Sequence, residues 1–408
     1  MHAARLSAHE VMTLGLMAKD AVRPNRERHV PTLDGIRGIA ILLVLATHSA
    51  RPVETSSGSA WRWIMSAAQS GWLGVDVFFA LSGFLISGIL LDSAGQPHYF
   101  RNFFARRALR IFPLYYATLA FYFVVVPIFW RTPSAAFRAL EEWRPWYWAY
   151  VQNWIPFITH SRGEPAPAWL LAPTWSLAVE EQFYLLWPFV VRLIGPRGLL
   201  VLACGLVLST PLARSVMLSS GVDGEILYGW TFSRLDALAA GAAVAAAVRV
   251  FPGKDRVLSR VGGIIASAGA AALLGLFVVS HGLDKTEQTV IVVGFWLPAV
   301  TTAGVILMIA TGGLPGTVGR FLQAEGLRAF GKYSYAIYVF HLPVFLVVRS
   351  AFQRIGAISG WPVPLSFLAE VGVSWSAVFA AAWLSWRYFE APILKLKGRF
   401  AADGAANG

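Results

Sequence analysis

Ten apolar runs of about twenty residues set the terms for this chain, at about 34–50, 72–91, 111–130, 174–194, 198–217, 230–250, 261–280, 289–311, 333–350 and 367–388. An α-helix rises about 1.5 Å per residue and the hydrocarbon of a bilayer is about 30 Å thick, so each run is long enough to cross once. Hydrocarbon offers no hydrogen-bond partners, and a segment of this length satisfies its backbone only as a helix. The expected fold is an all-α integral membrane bundle of about ten helices. Composition agrees: 56% of the 408 residues are hydrophobic and 14% are charged, against about a quarter charged in soluble domains. The same balance excludes disorder. The stretch 143–158, WRPWYWAYVQNWIPFI, is aromatic but short and broken by Pro145 and Pro156. It reads as an interfacial or re-entrant segment, because Trp and Tyr favour the headgroup zone.

Charge orients the bundle. With the N-terminus in the cytoplasm, 22 of the 34 Lys and Arg residues fall in cytoplasmic segments and 10 in outer ones, alternating loop by loop, while Arg37 and Arg234 lie within helices. This is the positive-inside pattern, and it places both termini inside. It also accounts for the net charge of +12 without nucleic acid as a partner. Residues 1–30 read as a cytoplasmic tail with no signal-peptide core, 31–392 as the transmembrane domain and 393–408 as a second cytoplasmic tail. The expected location is the inner (plasma) membrane, multi-pass. Cys204 is the sole cysteine, so no intrachain disulfide or thiolate metal site is expected, and no other metal or nucleotide-loop signature occurs.

Ionisable groups inside a span cost about 2.5–3.5 kcal/mol near its centre, so each is a functional hypothesis by default. In LDGIRGIAILLVLATHSA, Arg37 and His48 are eleven residues and about 16 Å apart, on nearly one helix face. That sets Arg37 near the inner surface and His48 in the outer half. Asp76 lies near the outer end of GWLGVDVFFALSGFLISGILL, as a site residue or the partner of a cation. Arg107 and Arg110, in YFRNFFARRALRIFPLYY, share a face at the inner surface. They serve either as membrane anchors or as a clamp for a phosphorylated ligand, since guanidinium matches phosphate geometry. In TWSLAVEEQFYLLWP the adjacent Glu180 and Glu181 point to different sides of one helix. They are expected at its outer end, to orient an imidazole or take a proton, or else to pair with Arg234. Arg234 and Asp236, in SRLDALAAG, enter from outside at similar depth. His341, in GKYSYAIYVFHLP, falls near mid-membrane as a core histidine or a site residue. No spacing shows that these helices are neighbours.

Seven motifs in order, LDGIRGIAILLVLATHS, GWLGVDVFFALSGFLISGILL, FFARRALRIFPLYY, WSLAVEEQFYLLWP, SRLDALAAG, GKYSYAIYVFHLP and YFEAP, closely resemble the membrane acyltransferase-3 family over about 30–392. Its members acylate surface polysaccharides, lipopolysaccharide O-antigen and macrolides. The resemblance implies that His48 is the essential histidine, Arg37 its paired arginine, and Arg107 with Arg110 the pair linked to an acyl-CoA donor. It further implies a co-substrate, most simply acetyl-CoA, with no bound cofactor, and a carbohydrate or glycolipid acceptor. Asp76, Trp175, Arg234, Asp236 and His341 are expected to support the acceptor site, and Glu180 or Glu181 to fix the imidazole tautomer.

The expected reaction is acyl transfer from cytoplasmic acyl-CoA to an acceptor hydroxyl at the outer face. His48 acts as base, or as nucleophile through a transient acyl-histidine. A tailoring acyltransferase of a macrolide or other small molecule is the alternative within enzymes. A transporter or a non-catalytic scaffold is the alternative outside them, although no inverted repeat is evident.

Overall fold

The computed structural model describes residues 30–51, 59–129, 135–161, 169–355, 361 and 363–400. All regular structure among them is helical. The expected N-terminal tail lies, apart from Val30, outside the described residues. The long helices are α1 (Pro31–Ser49), α2 (Ser59–Gln69), α3 (Leu73–Ser93), α4 (Tyr99–Ala120), α5 (Trp175–Ser219), α6 (Leu235–Val250), α7 (Asp255–Val279), α8 (Trp296–Ala310), α9 (Glu325–Ile355) and α10 (Val363–Ser385). Helix α2 was not anticipated from the sequence. It is amphipathic, with Met65 buried and Trp63 and Ile64 exposed, and it is too short to span.

Among the described residues, nine helical stretches are long and apolar enough to cross a membrane. One of them, Leu171–Ser219, is 49 residues long and accounts for two expected runs. Within α5, Gly195 has φ 63° and ψ −174°, a left-handed break that glycine tolerates, and Pro196 follows it. A straight helix of 45 residues would extend about 68 Å. Instead both ends of α5 reach the same place. The guanidinium carbon of Arg234 lies 5.8 Å from the Trp175 ring centroid and 4.3 Å from that of Phe295, and the Arg214 guanidinium carbon lies 5.7 Å from that same Phe295 ring. Helix α5 is therefore a hairpin of two passes.

Small residues set the closest helix crossings, as membrane interfaces require. A Cβ added at Gly83 of α3 would stand 1.8 Å from the Leu238 carbonyl oxygen of α6, and one at Gly241 would stand 1.8 Å from that of Ala80. The alanine-rich α6 consequently runs through the bundle centre, with Ala237, Ala239, Ala242, Ala245 and Ala246 all buried. The second Gly/Ala stretch behaves alike: Gly262 and Gly269 of α7 abut Gly304 and Thr301 of α8. Elsewhere α7 presents Ile264, Leu274 and Val279 outward, an apolar face suited to lipid.

Helices α1 and α9 meet backbone to backbone. A Cβ at Gly38 would lie 2.1 Å from the Leu327 carbonyl oxygen, and one at Gly331 would lie 1.9 Å from that of Asp34. Pro31 opens α1, where its missing N–H costs nothing, and Asp34 in the first turn suits the helix dipole.

The aromatic stretch after α4 does enter the protein. It forms short helices over Arg144–Trp148 and Ile155–Ser161 joined at Tyr150, whose φ is 54°. Gln152 and Asn153 are buried. Gln152 donates to the Thr174 carbonyl at 2.8 Å, and Gln182 donates to the Tyr150 carbonyl at 2.8 Å. At the other terminus the chain stays helical through Phe400, and Lys395–Phe400 packs along α4, so helix extends into the expected tail.

Candidate active site

The imidazoles of His48 and His341 meet edge to face, with ring centroids 4.6 Å apart. In each, Nδ1 lies against a carbonyl of its own helix: Val44 at 2.8 Å for His48 and Tyr338 at 2.7 Å for His341. A carbonyl only accepts, so in the neutral ring Nδ1 carries the proton and Nε2 keeps its lone pair. His341 is fully buried, and among the described residues its Nε2 has no hydrogen-bond partner. His48 is exposed, into a cavity of about 750 Å³. That cavity is walled by Trp72, Trp175, Tyr147 and Tyr228, by the inserted Gln152 and Asn153, and by the 280–287 turn carrying His281, Asp284, Lys285 and Glu287. Aromatic faces interspersed with amide and charged groups form a wall able to stack on and hydrogen-bond a polyhydroxylated ligand.

A second cavity, of about 130 Å³, collects Arg37, Arg107, Arg110, Glu180 and Tyr184 above an apolar wall of Phe78, Leu81 and Leu85. Two helices, α1 and α4, thus bring three guanidinium groups to one pocket. Arg37 donates to Asp34 at 2.8 Å, and Arg107 lies over the Tyr184 ring at 5.8 Å. Such a cluster matches a multiply charged anion. Val75 and Tyr338 line both cavities.

The glutamates lie elsewhere than expected. Glu180 lines the arginine pocket, not the His48 cavity, and hydrogen-bonds Ser82 and Tyr184. Glu181 turns to another side of α5, and its buried Oε1 has no hydrogen-bond partner. Five residues separate Trp175 from Glu180, about 7.5 Å of helix, which carries the chain from one cavity to the other. Neither glutamate hydrogen-bonds an imidazole; backbone carbonyls hold that tautomer. Arg234 does not pair with a glutamate either.

Asp76 and Arg234 form a fully buried ion pair. Arg234 is caged by Phe79, Trp175, Tyr228 and Phe295, the last at 4.3 Å. Asp236 pairs with Arg214 at 2.7 Å, and Arg214 also donates to the Ser233 carbonyl at 2.6 Å. None of these four charges lines either cavity. Arg234 lies against Trp175 and Tyr228 of the cavity wall and braces it. Arg214, near the end of the 198–217 run, is completely buried within α5. Asp236, its partner, lies on α6, and no spacing in the sequence links the two. Tyr338, three residues before His341 on the same face of α9, also escaped the sequence reading.

A sequence family described as an acyltransferase domain, acyltransferase-3, matches residues 30–386. The chain belongs to this acyltransferase family. Among curated proteins it is 30% identical over 382 residues to the peptidoglycan O-acetyltransferase OatA of Listeria monocytogenes, covering 90% of this chain and 56% of that one. It is 31% identical over 391 residues to the putative peptidoglycan O-acetyltransferase YrhL of Bacillus subtilis, covering 91% and 56%. It is 27% identical over 384 residues to the O-acetyltransferase OatA of Staphylococcus aureus, covering 90% and 58%. The chain therefore spans somewhat more than half the length of these relatives. No solved structure matches it significantly. In this multi-pass membrane protein, His48 opens into one cavity and three arginines line the other.

Proposed function

We propose that this acyltransferase moves an acetyl group from cytoplasmic acetyl-CoA to a hydroxyl of a cell-wall carbohydrate, of the peptidoglycan class, at the outer face. The reading is carried by one observation: a histidine with an unprotonated Nε2 faces a large polar and aromatic cavity, and a pocket of three arginines lies on the other side of Val75 and Tyr338. The positive-inside pattern orients the arginine pocket to the cytoplasm. There Arg37, Arg107 and Arg110 hold the donor's phosphates, and the pantetheine arm carries the thioester inward. The relatives' names supply the acceptor class, and the aromatic wall of the larger cavity suits a sugar.

In the transfer step, Nε2 of His48 takes the proton of the acceptor hydroxyl. The hydroxyl oxygen bonds to the thioester carbonyl carbon, and the carbon–sulfur bond breaks. The imidazolium then returns the proton to the leaving thiolate. Attack by His48 itself, through an acyl-histidine, uses the same geometry and ends in the same products. His341 packs on His48 and holds its ring plane.

The test is thiol release from acetyl-CoA by purified protein in nanodiscs, with and without soluble muropeptides, and ester formation read by mass spectrometry. Acceptor-stimulated release that His48→Ala abolishes is the expected result. Release unaffected by that change would overturn the reading, and an ester formed only on macrolides would replace the acceptor class.

A further inference from the structure

Tyr338 is the one aromatic side chain that lines both cavities, and Val75 of α3 is the other residue they share. Tyr338 is held at both ends. Its hydroxyl donates to the Pro173 carbonyl, just before α5, at 2.8 Å and lies 2.6 Å from the hydroxyl of Ser176 in the first turn of α5. Its own carbonyl accepts from Nδ1 of His341 at 2.7 Å. The ring is edge-on to Phe78, and the His341 ring is 5.7 Å away, itself in contact with His48. Among the described residues, the wall that the arginine pocket and the His48 cavity share is thus a clamped tyrosine and a valine. The space on the donor side is small, about 130 Å³, and Phe78, Phe79 and Leu81 are among its walls.

We propose that Tyr338 and Val75 form the septum between donor and acceptor cavities and set the length of acyl chain that can be transferred. This rests on the transfer reading above and adds to it the determinant of donor specificity. An acetyl group passes the septum, whereas a longer chain has to lie where the tyrosine ring lies. The ring's volume is the selector, and its hydroxyl keeps it in place. The septum also withholds the thioester from water in the larger cavity while no acceptor is bound, so opening it should release free acetate and CoA thiol from acetyl-CoA and water.

The experiment compares kcat/KM for acetyl-, butyryl- and hexanoyl-CoA in the full-length protein in nanodiscs, together with CoA release in the absence of acceptor. The wild type should prefer acetyl-CoA. Tyr338→Ala and, independently, Val75→Ala should each raise the butyryl-to-acetyl ratio about tenfold or more, the scale on which apolar pockets sense a methylene. Both should also raise acceptor-free release. Val75→Leu should lower the ratio, and Tyr338→Phe, which keeps the ring but loses its hydroxyl anchor, should raise the ratio much less than Tyr338→Ala. If Tyr338→Ala does not fold, the two Val75 changes decide alone, because they push the ratio in opposite directions. A wild-type protein that uses all three donors equally, or variants that keep the wild-type ratio while consuming acetyl-CoA, would overturn the septum and leave the transfer reading standing. No thiol release from any donor by the wild type would remove the transfer reading and the septum with it.

Discussion

His48 and His341 come from helices at opposite ends of the chain, yet their rings lie 4.6 Å apart. Gly38 and Gly331 account for this. They lie at the point where the backbones of α1 and α9 touch, and each histidine follows its glycine by ten residues. Parallel helices leaving that crossing rise together, so after about 15 Å both imidazoles arrive at one height. Gly331→Ala would put a methyl 1.9 Å from the Asp34 carbonyl oxygen. We expect a loss of about 1–3 kcal/mol in stability, typical of overpacking, and a larger loss of activity, because the rings part. Gly326→Ala, with nothing within 4 Å, should be neutral in both. Thermal unfolding in detergent and thiol release measure the two effects.

His48 is exposed to the cavity, so His48→Ala should change the melting temperature little. Transfer should fall by a factor of about 100 to 10,000, the range for losing a positioned base. The pH profile has a definite sign. The reaction uses the unprotonated ring, so kcat/KM should fall as pH drops through the titration of His48 and level off above it. A rate that rises on acidification would mean that the cation is the working form.

The three arginines of the smaller pocket should act on the donor. Arg107→Lys and Arg110→Lys keep the charge but lose the planar fork. At about 1.5–3 kcal/mol for a hydrogen bond to a charged group, the KM for acetyl-CoA should rise roughly ten- to a hundredfold, with the acceptor KM unchanged. Steady-state kinetics with both substrates varied separates the two. An effect confined to the acceptor would show that the pocket serves the other substrate.

Asp76 and Arg234 should behave as a unit of structure. Asp76→Asn leaves a buried guanidinium without its counter-ion, at a cost of about 3–5 kcal/mol. The double change Asp76→Leu with Arg234→Met removes both charges and should recover most of the stability, because a buried ion pair gains little over apolar packing of the same volume. Melting temperatures of the wild type, Asp76→Leu, Arg234→Met and the double variant form the cycle that tests this. Losses that simply add in the double variant would show that the charges act independently.

The sequence alone determined that this chain is a helical membrane protein, where nearly every span lies, and which polar residues are out of place in lipid. Those are one-dimensional facts: apolar length against bilayer thickness, and the cost of a charge in hydrocarbon. Helical periodicity even put Arg37 and His48 on one face at different depths, and the two now open into different cavities. Spacing along a chain carries no information on which helices touch, so only the tertiary structure decided the rest. It paired Asp76 with Arg234 and Asp236 with Arg214, brought His341 to His48, and sent Glu180 to the arginines. It also set Tyr338 between two cavities. Each of these follows from glycine contacts and a hairpin at Gly195, where backbones approach closely enough that a few ångströms of register choose every side chain's neighbour.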